Sequence, residues 1–323
     1  MTAHQTPLKE LPPLDPAKFR DPRTTAKGDR RAAVGLKSLD TLWINTGTLC
    51  NLTCANCYIE SSPTNDRLVY LSAAEVAAYF DEIAELGLPT RQIGFTGGEP
   101  FMNPEFMTMV EDALGRGFEV LILTNAMKPM MKRRDALKAL NARYGARLVL
   151  RVSLDHYSPA LHELERGKRS WQPALEGLSW LVREGIAVAV AGRTLWRESE
   201  DELRAGYARL FREHGIPIDA RDRARLVLFP EMDATVDVPE VTEACWGILG
   251  VNPDAMMCAT SRMVVKRKGA ARPVVVPCTL LPYDERFDMG PTLAGANTTV
   301  PLNHPHCAKF CVLGGGSCMA ADD

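Results

Sequence analysis

The chain has 323 residues, 46% of them hydrophobic, which is enough to bury a large core and too much for one compact small module. A formal charge of -2 gives no global electrostatic reason to bind nucleic acid or an anionic membrane, so partners have to be argued from sites. No apolar run of about 18 residues appears, and the charged, proline-bearing start MTAHQTPLKELPPLDPAKFRDPRTTAKGDRR lacks the apolar stretch of a signal peptide, so a cytoplasmic protein without a membrane partner is expected.

Residues 1–38 are polar and proline-bearing and read as an extension, without the strand and helix pattern of a separate leader-peptide recognition domain. From there to about residue 235, apolar β-branched runs at DTLWINT (40–46), RQIGFT (91–96), FEVLILT (118–124), RLVLRVSL (147–154), IAVAVAG (186–192) and ARLVLF (224–229) predict six strands. After the first strand comes TGTLCNLTCANCY, with Cys50, Cys54 and Cys57. In SAAEVAAYFDEIAELG, Ser72 and Glu75 form a capping box, Val76, Tyr79, Phe80 and Ile83 an apolar stripe, and Gly87 a stop. Asn103 and Pro104 open a second helix carrying Phe106, Met109, Val110 and Ala113. Further helices are predicted around 130–143, 171–184 and 199–214. Near-continuous apolar strands separated by single helices require a parallel sheet under those helices, either open and doubly wound or a full or partial barrel. GGEP (97–100), Asn125, the SLDH stretch with Ser153 and Asp155, and Arg193 all follow strand ends, which is where such sheets collect their chemistry.

Beyond residue 235 the alternation fades and Cys245, Cys258, Cys278, Cys307, Cys311 and Cys318 appear. SRMVVKRKGAARPVVVP, between Cys258 and Cys278, reads as a hairpin turning at Gly269. Its basic turn KRKGAAR reads as a solvated tip, since no interleaved aromatics offer nucleic-acid stacking. Nine cysteines in close clusters, in a reducing compartment, point to metal rather than disulfides.

For Cys50, Cys54 and Cys57 two sites compete. Structural zinc wants four protein ligands, and no histidine lies near in sequence to complete the set. A cubane iron–sulfur cluster held at three corners would leave one iron open for a small molecule. For the C-terminal cysteines, zinc with His304 and His306 is the alternative to an iron–sulfur cluster.

CNLTCANCY, with its C-x3-C-x2-C spacing after a first strand, and GGEP after a second resemble the two signatures of the radical S-adenosylmethionine (radical SAM) enzymes. The cysteine-flanked hairpin and cysteine-rich tail resemble, more loosely, their SPASM or twitch extensions. The family usually has an aromatic or histidine before the third cysteine, where this chain has Asn56.

The resemblance implies an α/β partial (β/α)6 TIM-like barrel over residues 39–235 and a small cysteine-rich iron–sulfur domain over 236–323. It implies a [4Fe–4S] cluster on Cys50, Cys54 and Cys57 whose open iron chelates SAM. Gly97, Gly98 and Glu99 would meet the methionyl amino group, and Asn125, Ser153, Asp155 and Tyr58 would surround the ligand. Arg193 suits the carboxylate, because a guanidinium matches a planar two-oxygen partner. One auxiliary iron–sulfur cluster would take four ligands from Cys258, Cys278, Cys307, Cys311 and Cys318, with Cys245 read first as core, then as ligand or catalytic thiol. The implied activity is reductive cleavage of SAM, fed by a flavodoxin- or ferredoxin-like donor, and hydrogen abstraction from a peptide, protein side chain or small molecule. The competing class is a non-catalytic iron–sulfur or zinc protein, which would favour a fully ligated site.

Overall fold

The computed structural model describes residues 12–314. A two-residue strand β1 (Ala33–Val34) pairs with β10 (Val300–Pro301). All six predicted strands form, as β2 (Thr41–Asn45), β3 (Gln92–Thr96), β4 (Glu119–Thr124), β5 (Leu148–Ser153), β6 (Ala187–Arg193) and β7 (Leu226–Phe229). They lie side by side in sequence order, all parallel. The connections carry α1 (Ala73–Glu85), α2 (Phe106–Gly115), α3 (Lys128–Met131), α4 (Arg134–Tyr144), α5 (Pro159–Arg166), α6 (Trp171–Arg183) and α7 (Glu200–Glu213).

The strands are mainly apolar, with polar residues mostly at their ends, because both faces are covered. Alternate residues serve two cores: Leu42 and Ile44 of β2 and Val120 and Ile122 of β4 enter one with the helices. Trp43 and Leu121 enter the other, which also holds Cys258, Cys278 and Cys307. Gly94 pairs with Trp43, whose ring lies 2.4 Å from where a Cβ would stand, so only glycine lets that indole lie flat on β3.

Local signals account for most of the helices. The Ser72–Glu75 capping box forms, and Val76, Tyr79, Phe80 and Ile83 are buried. Asn103 Oδ1 accepts from the Glu105 amide one turn ahead of α2, so the helix itself starts at Phe106. The sequence patterns did not anticipate α5, eight residues starting after Ser158 and stopping at Gly167. Its inward face carries His162 and Glu165, so a polar buried side hides the usual apolar stripe.

The predicted hairpin forms as β8 (Ser261–Val265) and β9 (Val274–Val276), antiparallel, with Gly269 at φ 82° in the turn. β8 also pairs in parallel with β2, so the sheet runs β7-β6-β5-β4-β3-β2-β8-β9 and the cysteine-rich segment is joined to the barrel strands by backbone hydrogen bonds. The basic turn is ion-paired rather than simply solvated: Lys266 meets Glu75 at 2.5 Å, Arg267 meets Asp288 at 2.7 Å and Lys268 meets Asp66 at 2.6 Å. Such pairs contribute little energy singly but tie the hairpin to α1, to the loop ahead of it and to Asp288. The described part of the N-terminal extension lies along residues 235–243, with Pro13 bridging Val236, Lys18 on Asp237 at 2.7 Å and buried Arg31 on Glu240 at 2.5 Å. Among the described residues no helix is long and apolar enough to cross a membrane.

Candidate functional site

The Cys50 to Cys57 loop leaves the end of β2 and folds onto the turn after β3. Asn45 Oδ1 accepts from the Gly47 amide at 3.0 Å, Gly98 N donates to Gly47 O at 2.8 Å and Glu99 N to Leu49 O at 3.1 Å. Gly97 has φ +131°, and a Cβ there would stand 2.4 Å from Gly47 O, while one on Gly98 would stand 2.2 Å from Leu49 O. The glycine pair is therefore a saddle for the cysteine loop as well as part of the cavity wall.

From the other side, α5 clamps the same loop. Glu165 O accepts from Ala55 N at 2.7 Å, Glu165 Oε1 from Asn56 N at 3.0 Å and Oε2 from Asn56 Nδ2 at 2.6 Å. Asn56 thus fixes the loop to a buried carboxylate. Leu52 N donates to Cys50 Sγ and Ser61 N to Cys57 Sγ, each at 3.4 Å, and the first of these favours the Cys50 thiolate. Burial works the other way, pushing the Cys50 thiol up to about 12 and Cys54 up to about 11, with Arg166 opposing. A metal centre that displaces the protons resolves that conflict.

One cavity collects Cys50, Cys54, Cys57, Tyr58, Gly97 and Gly98 with Asn125, Ser153, Asp155 and Arg193 from the ends of β4, β5 and β6. Glu99 is the predicted site residue that does not line it. Its carboxylate is buried against β4, accepting from Thr124 Oγ1 at 2.9 Å, Asn125 N at 2.9 Å and Phe101 N at 3.3 Å, and burial pushes it up to about 7. Asn125 Nδ2 donates to Asn51 Oδ1 at 2.9 Å. Asp155 is held by Arg166, with Nε to Oδ2 at 2.6 Å and Nη2 to Oδ1 at 3.2 Å. Arg193 donates through Nη2 to Asn56 O at 3.2 Å, and its buried Nε has no hydrogen-bond partner, leaving a guanidinium edge for a ligand.

Sequence reasoning missed Arg151, Glu165 and Arg166, which also line this cavity. Arg166 is half-buried, and although desolvation opposes its charge, Asp155 and the neighbouring thiols hold its proton above the ordinary arginine range. Its signal was the Ser158-Pro159 start and Gly167 stop of α5.

A second cavity lies inside the C-terminal segment. Cys258 precedes β8, Cys278 follows β9, and Cys307 and Cys311 sit on the Cys307–Val312 turn of helix; all four line it, with only methionine, proline, leucine and valine between them. Burial pushes Cys258 up to about 11 and Cys307 up to about 12. Cys318 lies outside the described residues. Cys245 is half-buried beside Thr242, its Sγ 3.4 Å from that residue's amide nitrogen, and lines neither cavity. Half-buried His304 and buried His306 precede Cys307 but do not line the cavity.

Among the described residues no three His, Cys, Asp or Glu side chains converge tightly enough to hold a single metal ion. The first cavity, moreover, has no fourth cysteine or histidine among its described lining residues.

A profile of the Radical SAM superfamily matches residues 44–210, which spans β2 to α7 and both sequence signatures. The chain belongs to the radical SAM superfamily. Membership brings a [4Fe–4S] cluster and SAM as cofactors, and the three thiols, the glycine saddle and the open guanidinium edge fit them. This radical SAM protein is 28% identical over 192 residues to the antilisterial bacteriocin subtilosin biosynthesis protein AlbA of Bacillus subtilis, covering 57% of this chain and 41% of that one. It is 30% identical over 141 residues to Fe-coproporphyrin III synthase of Methanosarcina barkeri, covering 44% and 33%. The matched stretches thus span less than half of either relative. In fold it resembles Streptococcus suis SuiB bound to S-adenosylmethionine, with a TM-score of 0.58 at 12% identity over 79% of this chain and 63% of that one.

Proposed function

We propose that this chain is a radical SAM enzyme that cleaves SAM reductively and abstracts hydrogen from a peptide, protein side chain or small-molecule substrate. The observation that carries the reading is one cavity at the carboxyl ends of consecutive parallel strands, holding three thiols, no fourth described cysteine or histidine, and an arginine whose Nε has no partner. When bound, the cluster and SAM supply one electron and a 5′-deoxyadenosyl radical that takes a hydrogen atom from substrate.

The protein's residues do the holding. Cys50, Cys54 and Cys57 would ligate three irons. Arg193 Nε and Nη2 would take the methionyl carboxylate, with Asn125 and Ser153 at hydrogen-bonding positions on the neighbouring strand ends. Glu99 braces the wall from behind and the Asp155–Arg166 pair forms part of it, keeping the donors in place before the ligand arrives. Tyr58 and Phe229 line the same cavity and limit its access to water.

Cys258, Cys278, Cys307 and Cys311 would hold one auxiliary iron–sulfur cluster, which binds substrate or accepts an electron. The reductant is a flavodoxin- or ferredoxin-like donor. The two curated relatives carry names pointing to a bacteriocin and to a porphyrin, so the shared barrel does not fix the substrate. Anaerobic incubation of cluster-loaded protein with SAM and dithionite should release 5′-deoxyadenosine; its absence would reject the enzyme in favour of an electron carrier.

A further inference from the structure

Arg262 on β8 is fully buried, yet its guanidinium meets only carbonyls. Nε donates to Ala296 O at 2.9 Å, Nη1 to Cys258 O at 2.6 Å and Ser261 O at 2.8 Å, and Nη2 to Thr298 O at 3.1 Å. Other arginines near the cysteines have carboxylates: Arg31 has Glu240 at 2.5 Å, Arg286 has Asp284 at 2.6 Å and Arg166 has Asp155 at 2.6 Å. Among the described residues no carboxylate lies within ion-pair distance of Arg262, and the ionisable groups that act on it electrostatically are Cys258 and Cys278. An arginine does not shed its proton, and a buried charge without a counter-charge is costly. Free thiols are neutral near pH 7; as cluster ligands they are thiolates.

We propose that Arg262 is the counter-cation of an anionic auxiliary cluster on Cys258, Cys278, Cys307 and Cys311, and that it raises the reduction potential of that cluster. The inference rests on the auxiliary-cluster reading above. Four thiolates leave such a cluster net negative, and accepting one electron adds another negative charge. A fixed buried cation favours that reduced form. The hydrogen bond to Cys258 O ties the charge to one ligand's backbone, so Arg262 acts on the cluster as a positioning and tuning residue.

The test uses the full chain with Cys50, Cys54 and Cys57 changed to Ala, so that the auxiliary cluster is seen by itself. It is reconstituted with iron and sulfide and titrated with dithionite under EPR detection. Arg262→Met should keep its iron and lower the reduced-to-oxidised ratio at fixed potential by tenfold or more, about 59 mV for a one-electron couple. Arg262→Lys, which keeps the charge, should stay within threefold of the parent. A smaller shift in the Met variant, or an equal shift in the Lys variant, overturns the proposal. A Met variant that is folded but takes up no iron, while the Lys variant loads, supports the counter-cation role; a Met variant whose iron-free form is already unfolded makes Arg262 purely structural and overturns it. Failure of the underlying reading looks different: Cys258→Ser and Cys278→Ser would then leave the iron content of the full chain unchanged.

Discussion

Asn56 and Glu165 are joined twice, the carboxylate accepting from the asparagine's backbone amide at 3.0 Å and from its side-chain Nδ2 at 2.6 Å. The position where radical SAM enzymes usually carry an aromatic or histidine is here an anchor between the cysteine loop and the end of α5. Glu165→Ala removes a buried charged acceptor from two donors and should cost about 2 kcal/mol of stability. The loosened loop should also surrender iron to a chelator several-fold faster. Thermal unfolding of the iron-free protein and the chelation rate of the loaded protein check the two effects, and an unchanged chelation rate would show that the clamp does not serve the loop.

Gly98→Ala puts a methyl 2.2 Å from Leu49 O, a backbone atom that cannot swing aside. The cysteine loop must lift off β3, so Cys50 leaves its place. The expected outcome is loss of the barrel cluster's iron with the auxiliary iron retained, read by metal analysis and by EPR.

How much of this was legible beforehand follows from what each residue needs from its neighbours. The strands were readable because a sheet covered on both faces writes continuous apolar runs, and α1 because its capping box is local. The C-terminal cysteines could be gathered as five candidates because a hairpin joins the first two and short spacings the last three, but which four share a cavity is set by the fold. By contrast, α5 carries buried His162 and Glu165, so it lacked an apolar stripe, and its contacts with Asn56 join residues 109 positions apart. Likewise the pairing of β8 with β2 depends on a strand contributed more than 200 residues later, a distance over which no local pattern reports. Glu99 could be found by motif, but not its orientation, since only the fold brings Thr124 and Asn125 to its oxygens.

Glu99 also sets a pH dependence. Burial raises its carboxyl from 4.5 to about 7, so between those values the folded protein binds a proton that the unfolded chain does not. Stability from this group is complete below about 4.5 and lost as pH rises through 7, a span worth roughly 3 kcal/mol. Glu99→Gln should therefore match the parent near pH 5 and exceed it near pH 8. Denaturant midpoints of the iron-free proteins at both values decide it, and parallel pH profiles would contradict the buried-acid account.

Arg193→Gln tests the carboxylate contact. The variant keeps a polar side chain at the end of β6 but loses the charge and the two-nitrogen edge. SAM affinity measured without reductant should fall at least tenfold, about 1.4 kcal/mol, while iron content stays at the parent's value. Unaltered SAM binding would move the carboxylate elsewhere in the cavity.

The cysteine inventory gives the sharpest count. Four thiols converge on the second cavity with no polar side chain among them, and Cys245 stands apart beside Thr242. If the barrel and auxiliary sites each hold a four-iron cluster, the loaded chain carries about eight irons. Changing Cys258, Cys278, Cys307 or Cys311 to Ser should bring that to about four, with SAM cleavage retained in the variants that stay folded. Cys245→Ser and Cys318→Ser should leave the count intact, because the four ligands a cluster needs are already supplied within the cavity. A drop on Cys318→Ser would move one ligand to the C-terminal tail and release one of the four, and bound zinc in place of iron would replace the auxiliary cluster with a different metal altogether.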